Sequence, residues 1–266
     1  MCVLAHPDDE SLGMGGTLAK YAAEGVETYL VTATKGERGR TGSAEPLTPE
    51  AVGRLRQAEL FAAARELGVR EVSLLGYLDG ELDQADPAEA IGRIVAQIRR
   101  VKPQVVLTFG PDGAYGHPDH IAICQFTSAA VVCAADPDYE HRDSPATHRV
   151  SKLYYMAWRA DKWAAYQAAL RKLVITVDGA ERQATPWADW AVTTVIETSA
   201  FLPQVWRAVS CHQSQMAIYR HLSQLTEEHH RSLWSSQEFY RAFSLVNGGR
   251  RLESDLFEGL RDRNDT

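Results

Sequence analysis

Residues 1–10 read MCVLAHPDDE, in which an apolar run leads directly into His6, Pro7, Asp8 and Asp9. The apolar run predicts a buried strand, and the proline-containing turn predicts the start of a helix. In α/β proteins, side chains at such a turn lie at the carboxyl edge of the sheet, where ligands bind. The stretch therefore predicts an α/β fold with polar chemistry at the end of its first strand.

A second stretch repeats this pattern. Residues 116–120 read GHPDH and follow the apolar run VVLTF at 105–109. Two His-Pro-Asp turns at the ends of two strands indicate one composite site, and their mixture of imidazoles and carboxylates favours a metal site.

Strand-like and helix-like patterns alternate through the first half of the chain. The predicted strands are 1–5, 26–34, 69–77 and 105–110, and the predicted helices are 11–24, 49–67, 87–101 and one after His117. This alternation predicts a Rossmann-like, doubly wound and mostly parallel sheet. In the strand order 3-2-1-4 that is common in such sheets, the two turns face each other across the crevice where the connection reverses.

The pattern loosens after about residue 140. Strands are predicted at 153–158 and 193–196, and helices at 163–173, 199–221 and 227–243. No linker, repeat or low-complexity tract separates these elements from the first half. We therefore expect a single domain over residues 1–266, with a Rossmann-like core at 1–135 and a C-terminal α/β elaboration at 136–266 that shapes the substrate site.

Composition excludes several classes of protein. The chain has 266 residues, 45% of them hydrophobic, and a net charge of −7 without a dense basic run, which argues against a nucleic-acid partner. No stretch approaches the ~20 apolar residues of a membrane-spanning helix, and no secretory signal is expected at the start. The four cysteines form no CxxC pair, as is typical of thiols in a reducing cytoplasm. A cytoplasmic protein with a small-molecule partner is expected.

The spacing within the two motifs suggests a ligand set. Residues after each proline enter a helix, so the motifs offer His-x-x-Asp on one side and His-x-x-His on the other. A catalytic zinc site keeps three protein ligands and a water, and His6, Asp9 and His120 make that set. Zinc is the expected ion, although the same donors also accept iron(II), cobalt or manganese.

The remaining polar residues of the motifs predict a reaction. A metal-bound water has its pKa lowered toward ~7, and Asp8 is the natural base that takes its proton. His117 is the candidate donor to the developing oxyanion and the later proton source, and Tyr115 could add its hydroxyl. The implied reaction is hydrolysis of an amide or an ester.

Other interpretations of these residues stay open. The first motif alone could be a helix N-cap in which Asp8 or Asp9 accepts backbone N–H bonds. Gly13-Met14-Gly15-Gly16 resembles a dinucleotide fingerprint superficially, but it follows acidic residues, so helix packing is the better account. A nucleotide-binding module and a non-catalytic metal- or sugar-binding protein are the competing classes, and binding alone would not require Asp8 and His117.

The motifs AHPDDE and YGHPDH resemble those of the PIG-L/LmbE-like N-acetylglucosaminyl deacetylase family. The similarity extends to residues 32–39, 56–60, 67–69 and 77–80, and later to His212-x-Ser214-Gln215 and 255–257. It is strong up to His120 and loose from about 140 to 200. Residues 136–190 match no particular branch, so the resemblance leaves the aglycone open.

The resemblance implies a zinc-dependent N-deacetylase acting on an N-acetylglucosamine conjugate by attack of a zinc-bound water. It places the ligands, the base and the acid histidine on the residues assigned above, and it adds Arg56 and Asp79 as substrate-binding residues. Their structural alternatives are an Arg56–Glu59 pair on a helix surface and an Asp-Gly turn. Homo-oligomers are common in the family, and an amidase acting on a larger thiol-sugar conjugate is the nearest alternative function.

Overall fold

The computed structural model describes residues 1–43, 45–139, 146–170, 173–216, 219–247, 249 and 251–261. The strands are β1 (Cys2–Leu4), β2 (Tyr29–Thr34), β3 (Glu71–Tyr77), β4 (Val105–Thr108), β5 (Lys152–Met156), β6 (Val174–Val177), β7 (Ala180–Gln183), β8 (Thr194–Glu197) and β9 (Ser236–Ser244). The helices are α1 (Asp9–Ala23), α2 (Pro49–Glu66), α3 (Pro87–Val101), α4 (Gly113–Gly116), α5 (Pro118–Ala135), α6 (Ala160–Leu170), α7 (Leu202–Cys211) and α8 (Glu227–Trp234).

Seven strands form one sheet in the order β3-β2-β1-β4-β5-β9-β8. The first five of these are mutually parallel, and β9 runs antiparallel to both β5 and β8. The predicted order 3-2-1-4 is therefore confirmed, and so is the mostly parallel α/β class. Because the connection reverses between β1 and β4, the turns that follow these strands meet at the carboxyl edge of the sheet.

Helices cover both faces of the sheet. Contacts join α1, α2 and α7 on one face and α3 and α5 on the other. Parallel strands buried on both faces are expected to be continuously apolar, and all three residues of β1 are at most 1% exposed. The site therefore rests on a strand that packing holds rigidly.

The glycine run in α1 serves close packing. A Cβ at Gly16 would lie 2.6 Å from Cβ of Thr198, and one at Gly15 would lie 3.4 Å from the methyl groups of Val205. The backbone of α1 thus approaches Thr198, in the segment before α7, too closely for a side chain at position 16. The helix-packing interpretation of this run is confirmed.

The C-terminal part extends the same sheet, but one predicted element is wrong. The helix expected over 227–243 ends at Trp234, and residues 236–244 form β9. Tertiary contacts override the local helical pattern there: Gln237 accepts a hydrogen bond from the Thr17 amide at 2.7 Å and donates one to the Gly13 carbonyl at 2.7 Å. The hairpin β6–β7 was not predicted.

Two clusters of buried side chains form the core. The larger one follows the sheet and contains residues of both parts of the chain, such as Leu4, Ile94, Leu153 and Phe239. The smaller one joins α6, α7 and α8. This continuity supports the single-domain interpretation, which stays a prediction. No helix in the described part of the chain is long and apolar enough to cross a membrane.

Candidate metal centre

The two His-Pro-Asp turns meet as their positions in the sheet require. Nδ1 of His6 lies 3.2 Å from Nε2 of His120. The Asp9 carboxylate lies 3.7 Å from Nδ1 of His6 and 3.5 Å from Nε2 of His120. One ligand atom from each residue falls within 4.8 Å of the others, a grouping that could hold a metal ion.

The second nitrogen of each histidine is also engaged. Nε2 of His6 lies 3.0 Å from Oδ2 of Asp119 and 3.2 Å from Oδ1 of Asp79. Nδ1 of His120 lies 3.2 Å from the carbonyl oxygen of Gly113. A metal-bound histidine usually donates its other N–H to a carboxylate or carbonyl, which fixes the ring and its tautomer. The residues present therefore fit a divalent cation with three protein ligands.

A second grouping, His6, His117 and Asp119, also lies within 4.8 Å. Asp119, however, already accepts hydrogen bonds from the amides of Gly80 at 2.8 Å and Leu82 at 3.1 Å. These amides and His6 use three of the roughly four acceptor positions of the carboxylate. Asp119 is therefore better placed to support a ligand than to be one.

The electrostatics of the centre favour positive charge. Burial alone would lower the pKa of His6, but hydrogen bonds to Asp119 and Asp79 and the charge of Asp9 outweigh it and raise the pKa to about 10. For Asp9, burial raises the pKa, but the opposing effect of His120 and His6 is larger and lowers it. The carboxylates that hold a proton on His6 supply the negative potential that a divalent cation requires.

Asp8 has an unusual backbone at the start of α1. Its φ of 104° lies in the left-handed region, which costs a non-glycine residue about 1–3 kcal/mol and recurs at active sites. Its side chain makes no N-cap hydrogen bond to the helix, so the simple capping interpretation does not hold for Asp8. Its carboxylate instead accepts a hydrogen bond from Nη2 of Arg56 at 2.9 Å, and its amide donates to Glu10 at 2.9 Å.

Arg56 and Asp79, expected to bind substrate, both lie beside this centre. Arg56 is 4% exposed and also donates to the carbonyls of Pro7 at 2.6 Å and Gly36 at 2.9 Å. It is not on the helix surface. Asp79 is 8% exposed and accepts a hydrogen bond from the Arg38 amide at 3.0 Å. These contacts position the predicted base and a predicted metal ligand, and the substrate-binding roles stay predictions as well.

His117 stands at the N-cap of α5, with its ring centroid 4.8 Å from that of His6 and 4.7 Å from that of His120. Its Nδ1 accepts a hydrogen bond from the Asp119 amide at 3.2 Å, so the neutral ring carries its hydrogen on Nε2. Burial and the nearby charges of His120 and His6 lower the pKa of His117 to about 3, which keeps the ring neutral.

Tyr115 packs edge-on against His117 and His120 with ring centroids 5.9 and 5.4 Å apart, and burial raises the pKa of its hydroxyl.

A cavity of about 240 Å³ opens directly on this centre, with Asp8, Asp9, Tyr115 and His120 in its wall. A larger cavity of about 420 Å³ lies at the opposite edge of the sheet, between residues 26–29 and 101–105. The larger one contains no residue of either His-Pro-Asp motif. We therefore place the site in the smaller cavity.

Several supporting residues had no role assigned from the sequence, although His212 and Ser214 lie in a segment that resembles the family. Nε2 of the buried His212 lies 2.8 Å from Oε1 of Glu10, whose other oxygen holds the Asp8 amide. Glu59 accepts hydrogen bonds from the amide and hydroxyl of Ser214 at 2.7 and 2.6 Å. Both contacts tie the His212-x-Ser214-Gln215 segment to the site. The available signal for Glu10 and Asp119 was their position, since Glu10 directly follows the first motif and Asp119 lies inside the second.

Comparison with known proteins agrees with this geometry. A family model described as PIG-L, GlcNAc-PI de-N-acetylase, matches residues 1–131. A 1D-myo-inositol 2-acetamido-2-deoxy-alpha-D-glucopyranoside deacetylase of Streptomyces griseus is 36% identical over an alignment covering 98% of this chain and 88% of that protein.

Two solved structures share the fold. An N,N'-diacetylchitobiose deacetylase of Pyrococcus horikoshii has a TM-score of 0.66 at 20% identity, covering 90% of this chain and 83% of its own. The 4-carboxy-2-hydroxymuconate hydratase GalB of Pseudomonas putida KT2440 has a TM-score of 0.67 at 19% identity, covering 93% and 98%. Proteins that share this fold thus catalyse more than one reaction. The family is therefore identified from the sequence relatives and not from the fold. The chain belongs to the PIG-L family of de-N-acetylases.

Proposed function

We propose that this chain removes the N-acetyl group from a small molecule containing N-acetylglucosamine, with zinc as the metal. The observation that carries the proposal is the convergence of His6, Asp9 and His120 within 4.8 Å. Asp8 and His117, one from each His-Pro-Asp motif, flank that group. A metal- or sugar-binding protein would need the first three residues but neither of the last two.

The divalent ion, when bound, lowers the pKa of a water and polarises the amide carbonyl. Asp8 takes the proton of the attacking water, and the Arg56 guanidinium holds its carboxylate in place for this step. Nε2–H of His117 donates a hydrogen bond to the carbonyl oxygen as negative charge develops there. A C–O bond forms, the C–N bond breaks, and the proton from water leaves on the amine, so that the products are a carboxylate and a free amino sugar.

Polar groups that suit sugar hydroxyls lie on the β2–β3 side of the centre. Asp79 follows β3, and Arg38 follows β2 with its side chain half exposed and paired with Glu81. Relatives at 36% identity or less are named for an inositol conjugate of N-acetylglucosamine. That conjugate is the first substrate to test, and a larger thiol-sugar conjugate is the second.

The test is acetate release by zinc-loaded protein from a panel of free GlcNAc, GlcNAc-inositol, GlcNAc-malate and a lipid-linked GlcNAc. Asp8→Asn should retain zinc and lose about 10²–10⁴-fold in rate, because it removes general-base catalysis alone. Asp9→Asn should lose both zinc and activity, because it removes a ligand. Full activity in Asp8→Asn would overturn the mechanism, and zinc binding without acetate release from any compound would overturn the substrate class.

A further inference from the structure

The strained backbone of Asp8 is held by the side chain of Glu10. With φ 104° and ψ −25°, Asp8 has a conformation that a non-glycine residue seldom adopts unless its surroundings impose it. Its carbonyl accepts hydrogen bonds from the amides of Ser11 at 3.0 Å and Leu12 at 2.9 Å, as at the start of an ordinary helix. Its amide belongs to the preceding peptide group and donates to Oε2 of Glu10 at 2.9 Å. Glu10 therefore fixes the peptide group on which the direction of the Asp8 side chain depends.

Glu10 is held in turn by His212, a residue from the C-terminal half of the chain. Both residues are 0% exposed, and Nε2 of His212 lies 2.8 Å from Oε1 of Glu10. Because an ionised carboxylate only accepts hydrogen bonds, Nε2 is the donor. Nδ1 of His212 has no hydrogen-bond partner among the described residues. Burying an imidazole with one nitrogen unpaired costs stability, so the contact with Glu10 is what this ring contributes.

Helix α2 joins the two supports of Asp8. Arg56 on this helix donates to the Asp8 carboxylate. Glu59, one turn later, accepts hydrogen bonds from the amide and hydroxyl of Ser214, and it thereby fixes the segment that carries His212. Asp8 is thus held directly from α2 at its carboxylate, and at its amide by a chain of contacts that returns to α2.

We propose that Glu10 and His212 are positioning residues for the hydrolysis, which hold the backbone of Asp8 so that its carboxylate reaches the attacking water. This inference rests on the proposed function, in which Asp8 is the general base. The family model matches residues 1–131, so His212 brings a residue from outside that range into the reaction. Misplacement of a reacting group by about 1 Å can cost about 10²-fold in rate, so a residue that does not touch the substrate can still set kcat.

A purely structural role is the alternative. An acidic residue in the first turn of a helix stabilises that helix, and a buried contact between α1 and the end of α7 stabilises the fold. Loss of such a role would lower the free energy of unfolding and the amount of folded protein. Its effect on the rate would be the same whether or not residue 8 carries a carboxylate. The effect of a positioning role depends on that carboxylate.

The first test is a double-mutant cycle of His212→Leu and Asp8→Asn, with kcat measured per bound zinc. His212→Leu alone should lower kcat about 10–10²-fold, with KM and zinc content unchanged. In the Asp8→Asn background it should change kcat less than about twofold, because the base that it positions is already absent. Equal factors in the two backgrounds would overturn the inference.

Two further variants separate the hydrogen bond from packing. His212→Gln keeps an N–H donor for Glu10 and should retain kcat within about threefold of the unmodified protein. His230 is the control, since its Nε2 lies 2.8 Å from the carbonyl oxygen of Leu222 and it does not line the cavity. His230→Leu should leave kcat unchanged. Equal losses in His212→Gln and His212→Leu would overturn the role of the donor.

The second test needs no substrate. Hydrogen exchange followed by NMR compares the amide of Asp8 with that of Thr34, which donates to the Ala5 carbonyl at 3.0 Å beside the same turn. In zinc-loaded His212→Leu the Asp8 amide should exchange about tenfold faster or more, with Thr34 unchanged, because only the acceptor of the Asp8 amide has lost its support.

The two tests fail in different ways. Unchanged exchange at Asp8 in His212→Leu would overturn the inference and leave the proposed function intact. Absence of hydrolysis by the unmodified protein would overturn the proposed function, and the exchange measurement would still decide whether His212 holds Asp8.

Discussion

Nε2 of His6 lies 3.0 Å from Oδ2 of Asp119, so the acidic residue of the second His-Pro-Asp motif holds the histidine of the first. Asp119 is itself fully buried and fixed by the amides of Gly80 and Leu82, which belong to the segment after β3. Segments that follow three strands thus set the orientation of one predicted metal ligand. The orientation of His6 is therefore a property of the folded sheet and not of the first motif alone.

This contact predicts the effect of Asp119→Asn. The neutral side chain of asparagine then replaces the carboxylate that accepts the His6 N–H. Zinc affinity should fall about 10–100-fold, as is typical when a hydrogen-bond partner of a metal ligand is changed. Competition with a chelator measures it. Asp83 lies nearby on an exposed turn, and Asp83→Asn should keep the affinity of the unmodified protein. Equal affinities in the two variants would mean that His6 needs no carboxylate support.

The role of Arg56 can be tested by separating kcat from KM. Its guanidinium donates to Asp8, Pro7 and Gly36, a geometry that the single ammonium of lysine cannot reproduce. Arg56→Lys should therefore lower kcat by about 10²-fold through misplacement of the base, with zinc content unchanged. Arg54, exposed on the same helix, is the control, since Arg54→Lys should change neither constant. A rise in KM with kcat unchanged would instead support the substrate-binding role expected from the resemblance.

The parallel half of the fold is predictable from the sequence because each element there carries a local signal. Apolar runs end in glycine or proline turns, and helices such as α2 begin at a proline behind a capping Thr48. The order of these strands follows from general rules of α/β connection, so the meeting of His6 with His120 was predictable. The ligand set and the base could be proposed from residue type and spacing alone.

In the C-terminal half, the strands expected at 153–158 and 193–196 are present as β5 and β8. β9 could not be predicted in the same way, because it depends on distant partners. Phe239 pairs with both Met156 and Thr194, and this pairing makes a strand of a segment for which the sequence pattern predicts a helix. The contact of Asp119 with His6 likewise depends on the tertiary fold, as does the burial of Arg56 against Asp8. No local pattern in the sequence reports such contacts.

A buried ion-pair network in this half predicts a large loss of stability in Glu253→Gln. Glu253 is 1% exposed and lies 2.7 Å from both Nζ of Lys152 and Nη1 of Arg241. Glutamine would leave these cations buried without a counter-charge, at a cost of about 3 kcal/mol. Denaturant unfolding at a fixed zinc concentration measures the change. Glu27 forms an exposed pair with Arg70, so Glu27→Gln is the control and should unfold like the unmodified protein.

The same network predicts a pH dependence for that loss. Burial raises the pKa of Glu253, but hydrogen bonds from Lys152, Tyr154, Asn247 and Thr194 outweigh it and lower the pKa from 4.5 to about 2. Since the folded pKa lies below the unfolded one, ionised Glu253 stabilises the fold above about pH 4.5, and this contribution is lost as the pH falls toward about 2.

Glutamine cannot titrate, so the difference in unfolding free energy between the unmodified protein and Glu253→Gln should be constant above pH 5. Below about pH 4.5 it should shrink by at most about 1.4 kcal/mol per pH unit. Loss of zinc at acid pH affects both proteins alike and cancels in the difference. Paired denaturant titrations between pH 6 and pH 3 provide the measurement. A difference that stays constant down to pH 3, or that grows, would show that the charge of Glu253 is not what stabilises this network.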